Sequence, residues 1–352
     1  MTINELAQQV GEWLRGEGPY SAVVISSRIR LARNIAGFPF LSKAGESERR
    51  QIFRLLNECI ADSQLGKDVL FVDIEAAEEI DRQLLVERHL ISRQHAEGEG
   101  TRGVAISAGE QRALMVNEED HLRIQVLRSG LQLDALFEEV NQIDDVLAEQ
   151  IEYAFDKRFG YLTACPTNVG TGIRVSVMLH LPALKLTNQI EQMFRAAKDM
   201  RLAVRGLYGE GTDALGDFFQ VSNQVTLGRT EEEIVEDFGT RIIPKIVEFE
   251  IAARENLLEE RTSLLDDKIW RAVGTLGNAR AMSSDETLFL LSHLRMGVHM
   301  GRCNNIDLGT LNEMFLRCQP AHLQKLNGRK LAGAERSVVR ADYLRRTLGS
   351  RN

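Results

Sequence analysis

The sequence contains few of the residues from which disulfide-bonded and metal-stabilised proteins are built. Its 352 residues include only four cysteines, and these are scattered as Cys59, Cys165, Cys303 and Cys318. There is no Cys-x-x-Cys pair and no histidine at ligand spacing, so we expect neither a disulfide framework nor a protein-bound metal. The pattern favours a reducing, cytoplasmic environment.

Long apolar runs and an excess of positive charge are also missing. No segment approaches the roughly 20 apolar residues of a membrane helix, and residues Met1 to Arg15 do not resemble a signal sequence. Since 51 acidic residues outnumber 43 basic ones, the net charge is -8. Such a chain is repelled by nucleic acids and anionic lipids, so we predict a soluble protein with no nucleic-acid or membrane partner.

The remaining sequence predicts an α+β fold with an antiparallel β-sheet. Short β-type runs recur through the first two-thirds in neighbouring groups, and longer helical patterns such as Leu131–Phe155 and Glu231–Glu260 separate them. Strands and helices do not alternate one by one along the chain, as a parallel sheet would require. After about Arg261 only helical stretches follow, so we predict one domain over residues 1–258 and a helical domain over residues 259–352.

Two charged segments adjoin predicted strands. In the first, Arg28 and Arg30 follow an apolar run and project from the same strand face, as a clamp for a polyanion would require. The alternative is a solvated edge on which Arg33 continues the charge pattern. The second segment, Asn117 to Arg123, contains three consecutive acidic residues between two apolar strands. It is either a solvated turn or a hairpin whose carboxylates converge on a cation such as a guanidinium.

Two glycine-rich segments also follow strand-like runs. In the segment from Cys165 to Arg174, glycines permit close backbone approach, but the ending of a Walker A loop is missing. Cys165 is either a small buried hydrophobic residue or a partly exposed thiol near cations. The segment from Arg205 to Gly211 predicts a mobile flap carrying Glu210, or alternatively a simple hairpin turn.

Taken in order and spacing, these segments resemble the catalytic domain of the phosphagen kinases, or ATP:guanidino phosphotransferases. The resemblance extends from about Val23 to Gly228, and Asn117–Arg123 reads Asn-Glu-Glu-Asp-His-Leu-Arg as in that family. It implies an antiparallel sheet flanked by helices, similar in outline to glutamine synthetase. It also implies transfer of the γ-phosphoryl group of ATP, with Mg²⁺, to a guanidinium.

The resemblance also assigns roles to individual residues. It implies that Glu119 is the catalytic base, that Glu210 is a second carboxylate against the acceptor, and that Cys165 lies beside the guanidinium. Glu118 and Asp120 would bind metal-bound water or brace the site. The implied nucleotide-binding residues are Ser26, Ser27, Arg28, Ile29, Arg30, His89, Arg123, Arg174, Val175, Ser176, Val177, Met178, Arg205, Gly206, Leu207, Tyr208, Gly209 and Glu210.

Two features distinguish the chain from kinases of small guanidino metabolites. Only about 25 residues precede Arg28, which predicts an open pocket that an arginine on a protein can enter. The helical region after Arg261 and the sequence of the segment Tyr161–Val169 both resemble the bacterial protein-arginine kinases of the McsB family. That resemblance implies phosphorylation of protein arginines, marking for a Clp-type protease, an activator protein and a homodimer. The alternatives are a metabolite guanidino kinase and a non-catalytic adaptor that binds phosphoarginine.

The McsB resemblance also implies a regulatory pocket near the carboxyl end. In that family a motif Arg-Asp-x-x-Arg-Ala lines an allosteric phosphoarginine site, and this chain carries Arg336, Ser337, Arg340 and Ala341 at the matching positions. Serine replaces the aspartate that would pair with the guanidinium, so we expect weakened or rebuilt control by phosphoarginine. The alternative is a basic amphipathic helix on the surface.

Overall fold

The computed structural model describes residues 2–63, 69–207 and 215–349. Its central feature is an eight-stranded antiparallel sheet with the strand order β2-β3-β4-β5-β1-β8-β10-β9. The strands of the sheet are β1 Val24–Arg33, β2 Val69–Asp73, β3 Gly103–Ser107, β4 Arg112–Val116, β5 Leu122–Ser129, β8 Ile173–His180, β9 Leu202–Arg205 and β10 Phe218–Asn223. A separate small hairpin consists of β6 Phe155–Asp156 and β7 Gly160–Tyr161.

Helices surround this sheet and then form the carboxyl-terminal part. The helices before residue 261 are α1 Ile3–Gln8, α2 Glu46–Asp62, α3 Glu79–Glu87, α4 Arg93–Glu97, α5 Leu133–Ala148, α6 Pro182–Leu186, α7 Ile190–Asp199, α8 Glu231–Glu236 and α9 Ile243–Glu260. Those after it are α10 Thr262–Asn278, α11 Ser284–His299, α12 Leu308–Arg317, α13 Pro320–Leu326 and α14 Gly333–Gly349. The predicted fold class is therefore confirmed.

The two faces of the sheet differ because successive strand side chains point in opposite directions. On one face, Ile29 and Leu31 of β1 are fully buried with Val175 and Val177 of β8 in the main hydrophobic core. Helix α5 packs against β1 and β5. The other face of β1 carries Arg28 and Arg30, so the apolar face fixes which side the arginines occupy.

The predicted helix Glu231–Glu260 is interrupted rather than continuous. Residues Asp237–Ile242 form a π-helical segment between α8 and α9. Pro244 is the second residue of α9, and proline has no N–H for the regular helical hydrogen bond. The predicted domain boundary at residue 258 lies within α9 and stays a prediction. Among the helices of the described ranges, none is both long enough and apolar enough to cross a membrane.

Candidate active site

Five arginines from four strands project from the same face of the sheet. In β-ladder register, Arg30 lies opposite Arg174, while Ala32, two positions beyond Arg30, lies opposite Arg123. Directly opposite residues of antiparallel strands share a face. Arg28 lies opposite Ser176 of β8, and Met178, two positions further along β8, shares its face. Met178 lies opposite Gln220 of β10, which in turn lies opposite Arg205 of β9, so Arg205 projects from this face as well. We call Arg28, Arg30, Arg123, Arg174 and Arg205 the arginine face.

Neutral polar side chains orient two of these arginines. Arg28 Nη2 donates to Gln220 Oε1 over 2.7 Å, and Arg28 Nε donates to Ser176 Oγ over 3.3 Å. Arg174 Nη2 donates to Ser222 Oγ over 2.9 Å. Amide and hydroxyl acceptors fix the guanidinium planes and carry no charge of their own, so these contacts do not neutralise the arginines.

Burial and mutual repulsion both disfavour the positive charges of Arg28 and Arg30 in the arginine face. Burial, aided by repulsion from Arg174, Arg123 and Arg205, lowers the pKa of Arg28 to about 10. Burial and repulsion from Arg28 also lower the pKa of Arg30 well below its usual value. Arg30 Nε is buried and has no hydrogen-bond partner within the described ranges. Like charges gathered in this way repel one another, and a polyanion such as a nucleotide polyphosphate would relieve that repulsion.

The acidic segment Asn117–Arg123 is a tight turn between β4 and β5. Asn117 has a left-handed backbone (φ 59°), and its side-chain amide donates to the carbonyl oxygens of Arg49 and Thr101. Asp120 and His121 are fully buried. The alternative of a solvated turn is therefore wrong, because Asn117, Asp120 and His121 of this turn are buried and hydrogen-bonded to other parts of the protein.

Two neighbouring glutamates of the turn meet Arg123 but differ in exposure. Glu118 has a side chain only 1% exposed, lies 2.6 Å from Arg123 Nη1 and accepts a 2.5 Å hydrogen bond from Ser92 Oγ. Burial alone would raise the pKa of Glu118, but Arg123 and Ser92 outweigh burial and lower it. Glu119 is 3.1 Å from Arg123 Nη2 and is 32% exposed. Glu118 is thus an anchor for Arg123, whereas Glu119 remains accessible to a substrate.

Asp120 connects the acidic turn to the cysteine loop. Its Oδ1 accepts 2.7 Å hydrogen bonds from Asn34 Nδ2 and from the backbone N–H of Ala164. The next residue, Cys165, is therefore held beside the turn that carries Glu119. Cys165 is partly exposed, with its Sγ 3.0 Å from Thr167 Oγ1, so it is not the buried hydrophobic residue of the sequence alternative.

The glycines of the cysteine loop approach the chain's own backbone. Gly172 has φ 67°, and a Cβ there would lie 2.7 Å from the carbonyl oxygen of Ala32 in β1. Gly170 has φ 115° and packs against Thr226 and Leu227. The close approach predicted from these glycines therefore seats the loop against β1, which places Arg174 at the start of β8 next to Arg30.

His89 lies at the border of the arginine face. It adopts a left-handed conformation (φ 57°) just beyond α3, and its ring meets Trp13 edge-on with centroids 4.4 Å apart. Its carbonyl oxygen accepts a 2.8 Å hydrogen bond from Gln125 Nε2. Burial, and to a lesser extent Arg28, lowers the pKa of His89 to about 3, so its imidazole is neutral at physiological pH.

The structure does not bring every predicted nucleotide-binding side chain to this face. Ile29, Val175 and Val177 are buried in the core on the opposite side. Ser27 Oγ instead donates to the carbonyl oxygen of Gly130 over 2.8 Å. Ser26, Ser176 and Met178 share the arginine face by register. Gly206 and Leu207 follow β9, and Tyr208, Gly209 and Glu210 lie outside the described residues.

Sequence reasoning missed the neutral residues that hold the arginines. Gln125, Gln220 and Ser222 all contact arginines or their neighbours from the same sheet face. A sequence signal for these residues exists within β5 and β10, because the three polar residues alternate there with the buried Ile124, Val126 and Val221. Such alternation indicates that they share one polar face of the sheet.

The predicted regulatory residues on α14 differ in burial. Arg336 lines a cavity of 420 Å³ together with residues of α3 and α13. Arg340 is 2% exposed and donates to the carbonyl oxygens of Cys318 and Met282, and Ala341 is buried beside it. The Ser337 hydroxyl donates to Gly333 O over 3.3 Å. The burial of Arg340 and the partial exposure of Ser337 are both compatible with an amphipathic surface helix, so this alternative and an allosteric role of the four residues both stay predictions.

Comparison with known proteins agrees with this geometry. The family model "ATP:guanido phosphotransferase, C-terminal catalytic domain" matches residues 51–253, and "Protein-arginine kinase McsB C-terminal domain" matches residues 262–352. A crystal structure of lombricine kinase superposes with a TM-score of 0.59 at 26% identity, covering 71% of this chain and 75% of that one. A taurocyamine kinase from Schistosoma mansoni, at 22% identity and TM-score 0.59, covers 74% of this chain and 40% of its own and shares the fold.

Curated relatives extend over the whole length. The protein-arginine kinase of Halothermothrix orenii is 42% identical over 99% of both chains. That of Desulforamulus reducens is 45% identical over 99% of both chains. Since these matches include the arginine face, the acidic turn and the helical carboxyl-terminal part alike, the chain belongs to the protein-arginine kinase family of ATP:guanido phosphotransferases.

Proposed function

We propose that the protein transfers the γ-phosphoryl group of ATP to arginine side chains of proteins. The observation that carries this proposal is the arginine face bordered by the partly exposed Glu119. A concentrated positive charge suits the polyphosphate, and a carboxylate at its border suits a cationic acceptor. Membership of the protein-arginine kinase family supports a protein as the source of that acceptor.

The arginine face supplies the electrostatic part of the catalysis. In phosphoryl transfer the transition state is loose and its charge is spread over phosphoryl oxygens, so alignment and charge stabilisation dominate. Arg28 and Arg174 are pre-oriented by neutral partners, and Glu118 orients Arg123. Their guanidinium groups are therefore in place before ATP binds, which limits reorganisation during the reaction.

Mg²⁺ is expected to accompany ATP. The partly exposed carboxylate of Glu119 is a hard oxygen donor of the kind that this ion's bound water prefers, so the residues present fit an ion carried in with the nucleotide. When bound with the nucleotide, Mg²⁺ would neutralise part of the phosphate charge.

Glu119 is the proposed base for the acceptor. A guanidinium stays protonated at neutral pH because its pKa lies far above that value, and the protonated group is a poor nucleophile. In the proposed step, a guanidinium nitrogen forms the new N–P bond to the γ-phosphorus as the bond to the β,γ-bridging oxygen breaks. ADP leaves, and the nitrogen's proton passes to Glu119. Cys165, held beside this turn through Ala164, would contact the acceptor guanidinium, and Glu210 is proposed as a second carboxylate.

Several finer proposals follow from family membership. We propose that the phosphorylated proteins are directed to a Clp-type protease as part of a stress response, and that a separate activator protein exists. A homodimer, allosteric control through the region of Arg336 and a cytoplasmic location are proposed on the same basis. None of these is required for the chemistry at the arginine face.

A direct assay tests the proposed function. The full-length protein is incubated with Mg-ATP and a loosely folded protein, and phosphoarginine is located by mass spectrometry under conditions that preserve acid-labile phosphate. We expect modified arginines with the wild type and almost none with Glu119→Gln. Phosphorylation of free arginine or creatine alone would identify a metabolite kinase. Binding of phosphoarginine without any transfer would identify an adaptor.

A further inference from the structure

A buried network joins helix α13 of the carboxyl-terminal part to the end of α3. His322 on α13 is fully buried, and its Nδ1 lies 2.7 Å from Glu87 Oε2. Its Nε2 lies 3.0 Å from Arg88 Nη1. Because Arg88 can only donate, Nε2 must accept and Nδ1 must carry the proton that it donates to Glu87. The neutral imidazole therefore bridges two consecutive residues of opposite charge.

Other contacts complete this network on both sides. Glu87 also accepts hydrogen bonds from the backbone N–H groups of Ala321 and His322 at the start of α13. Arg88, fully buried, donates to Glu110 Oε1 over 2.5 Å and to the carbonyl oxygen of Gln9 over 3.1 Å. A buried charge left without its partner is strongly destabilising, so this arrangement is held firmly in one geometry.

The network ends at Arg88, one residue before His89, which lies at the border of the arginine face. Helix α3 closes with a Schellman motif, in which His89 N–H donates to Val86 O and Leu90 N–H donates to Leu85 O. The motif needs a left-handed residue, usually glycine, at the position that His89 occupies. A residue with a Cβ is disfavoured there by roughly 1–2 kcal/mol. The surroundings must therefore impose this conformation on His89.

Glu87 and Arg88 are placed to impose it, since they are the two residues directly before His89. On its far side His89 is held by Gln125, whose Oε1 lies 3.5 Å from Arg28 Nη1. An uninterrupted chain of contacts thus runs from His322 through the end of α3 to Arg28 of the arginine face.

We propose that His322 is a positioning residue for the nucleotide site, acting through Glu87 and Arg88 on His89. The inference rests on the proposed function in so far as the arginine face binds ATP. It assigns to the helical carboxyl-terminal part a role in shaping a site located on the sheet. His322 touches neither substrate, so its effect should fall on nucleotide affinity more than on the chemical step.

The test compares three variants of the full-length protein. His322→Ala removes both bridges and should raise the KM for ATP about five- to tenfold, with a smaller change in kcat. His322→Gln keeps an acceptor for Arg88 and should give an intermediate KM. Leu276→Ala, a fully buried position on α10 that takes no part in the network, is the control for general destabilisation of the helical part and should leave the KM for ATP unchanged.

Tryptophan fluorescence gives a readout that does not depend on turnover. The chain has two tryptophans, and Trp13 contacts His89 while Trp270 is half exposed. In a Trp270→Phe background, His322→Ala should shift the emission of Trp13 without nucleotide, whereas Leu276→Ala should not. A folded His322→Ala variant with unchanged emission and unchanged KM overturns the proposal, as does an equal effect of Leu276→Ala.

These readouts separate the inference from the proposed function. If the wild type failed to phosphorylate protein arginines, ATP titration and Trp13 emission would still report on His89. Weaker ATP binding and altered emission in His322→Ala would then support the positioning role, and unchanged values would reject it.

Discussion

Arg30 and Arg33 stand on one strand but in opposite electrostatic environments. Arg33 is 1% exposed, binds Asp144 through Nε and Nη2, and lies with Cζ 3.6 Å above the ring of Tyr161. The sequence alternative in which Arg33 continues a solvated edge is therefore wrong. Arg30 faces other arginines instead, and its Nε has no hydrogen-bond partner within the described residues. One arginine stabilises the fold, and the other is available to a ligand.

The first prediction follows from this contrast. Arg30→Met should increase the free energy of unfolding of the nucleotide-free protein by about 1–2 kcal/mol, because it removes repulsion, while ATP binding is lost. Urea unfolding and ATP titration measure the two effects. Arg33→Met is the matched control on the same strand, and it should destabilise by about 3–5 kcal/mol by leaving Asp144 unpaired. A destabilised Arg30→Met protein would contradict the assignment.

The two glutamates that meet Arg123 should be separable by kinetics. Glu119→Gln removes the proposed base and should reduce kcat by about 10²–10⁴-fold, with little change in ATP affinity. Glu118→Gln weakens the anchor of Arg123 and should mainly raise the KM for ATP. Steady-state assays with a protein acceptor distinguish the two. If Glu119→Gln kept near-normal turnover, another group would have to accept the proton.

At the scale of elements, the first turn of α8 carries a pH-sensitive contact. Glu231 lies 3.7 Å from Arg33, near the buried Asp144. Burial raises the pKa of Glu231 from 4.5 to about 7, even though Arg33 opposes the rise. The folded protein thus holds a proton that the unfolded chain has released between these pH values, so this group makes stability fall as pH rises through that window.

Replacing Glu231 should therefore remove this loss of stability with rising pH. Glu231→Gln and wild type should have similar stability near pH 4.5, and by pH 8 the variant should be more stable by about 2 kcal/mol. Urea unfolding across this pH range measures the difference. A variant less stable than wild type at pH 8 would show that the ionised Glu231 is favourable in the fold.

Features that depend on residues close together in the sequence could be predicted, whereas contacts between distant positions could not. The same-face placement of Arg28 and Arg30 and the hairpin at Asn117–Arg123 follow from strand periodicity and local apolar flanks, and both predictions are confirmed. The bridge from Glu87 to His322 joins positions 235 residues apart, and no local pattern encodes it. Such partners become visible only when the fold brings α3 and α13 together.

At the scale of the whole molecule, net charge and local charge have opposite signs. The chain carries a formal charge of -8, yet the arginine face concentrates five positive side chains within one sheet. The net charge argues against long anionic polymers, whereas the local field attracts a small polyanion. This separation allows a nucleotide to bind without a general affinity for nucleic acids.

The last prediction concerns the thermal stability of the whole protein. Because ATP would relieve the repulsion within the arginine face, a hundredfold excess over Kd should stabilise the native state by about 2.7 kcal/mol. Differential scanning fluorimetry should show a rise in Tm that weakens with added salt, since charge attraction is screened. Adenosine, which lacks phosphates, should give little rise, and Arg30→Met should lose most of the ATP effect. An equal rise with adenosine and ATP would place the nucleotide's main contacts away from the arginines.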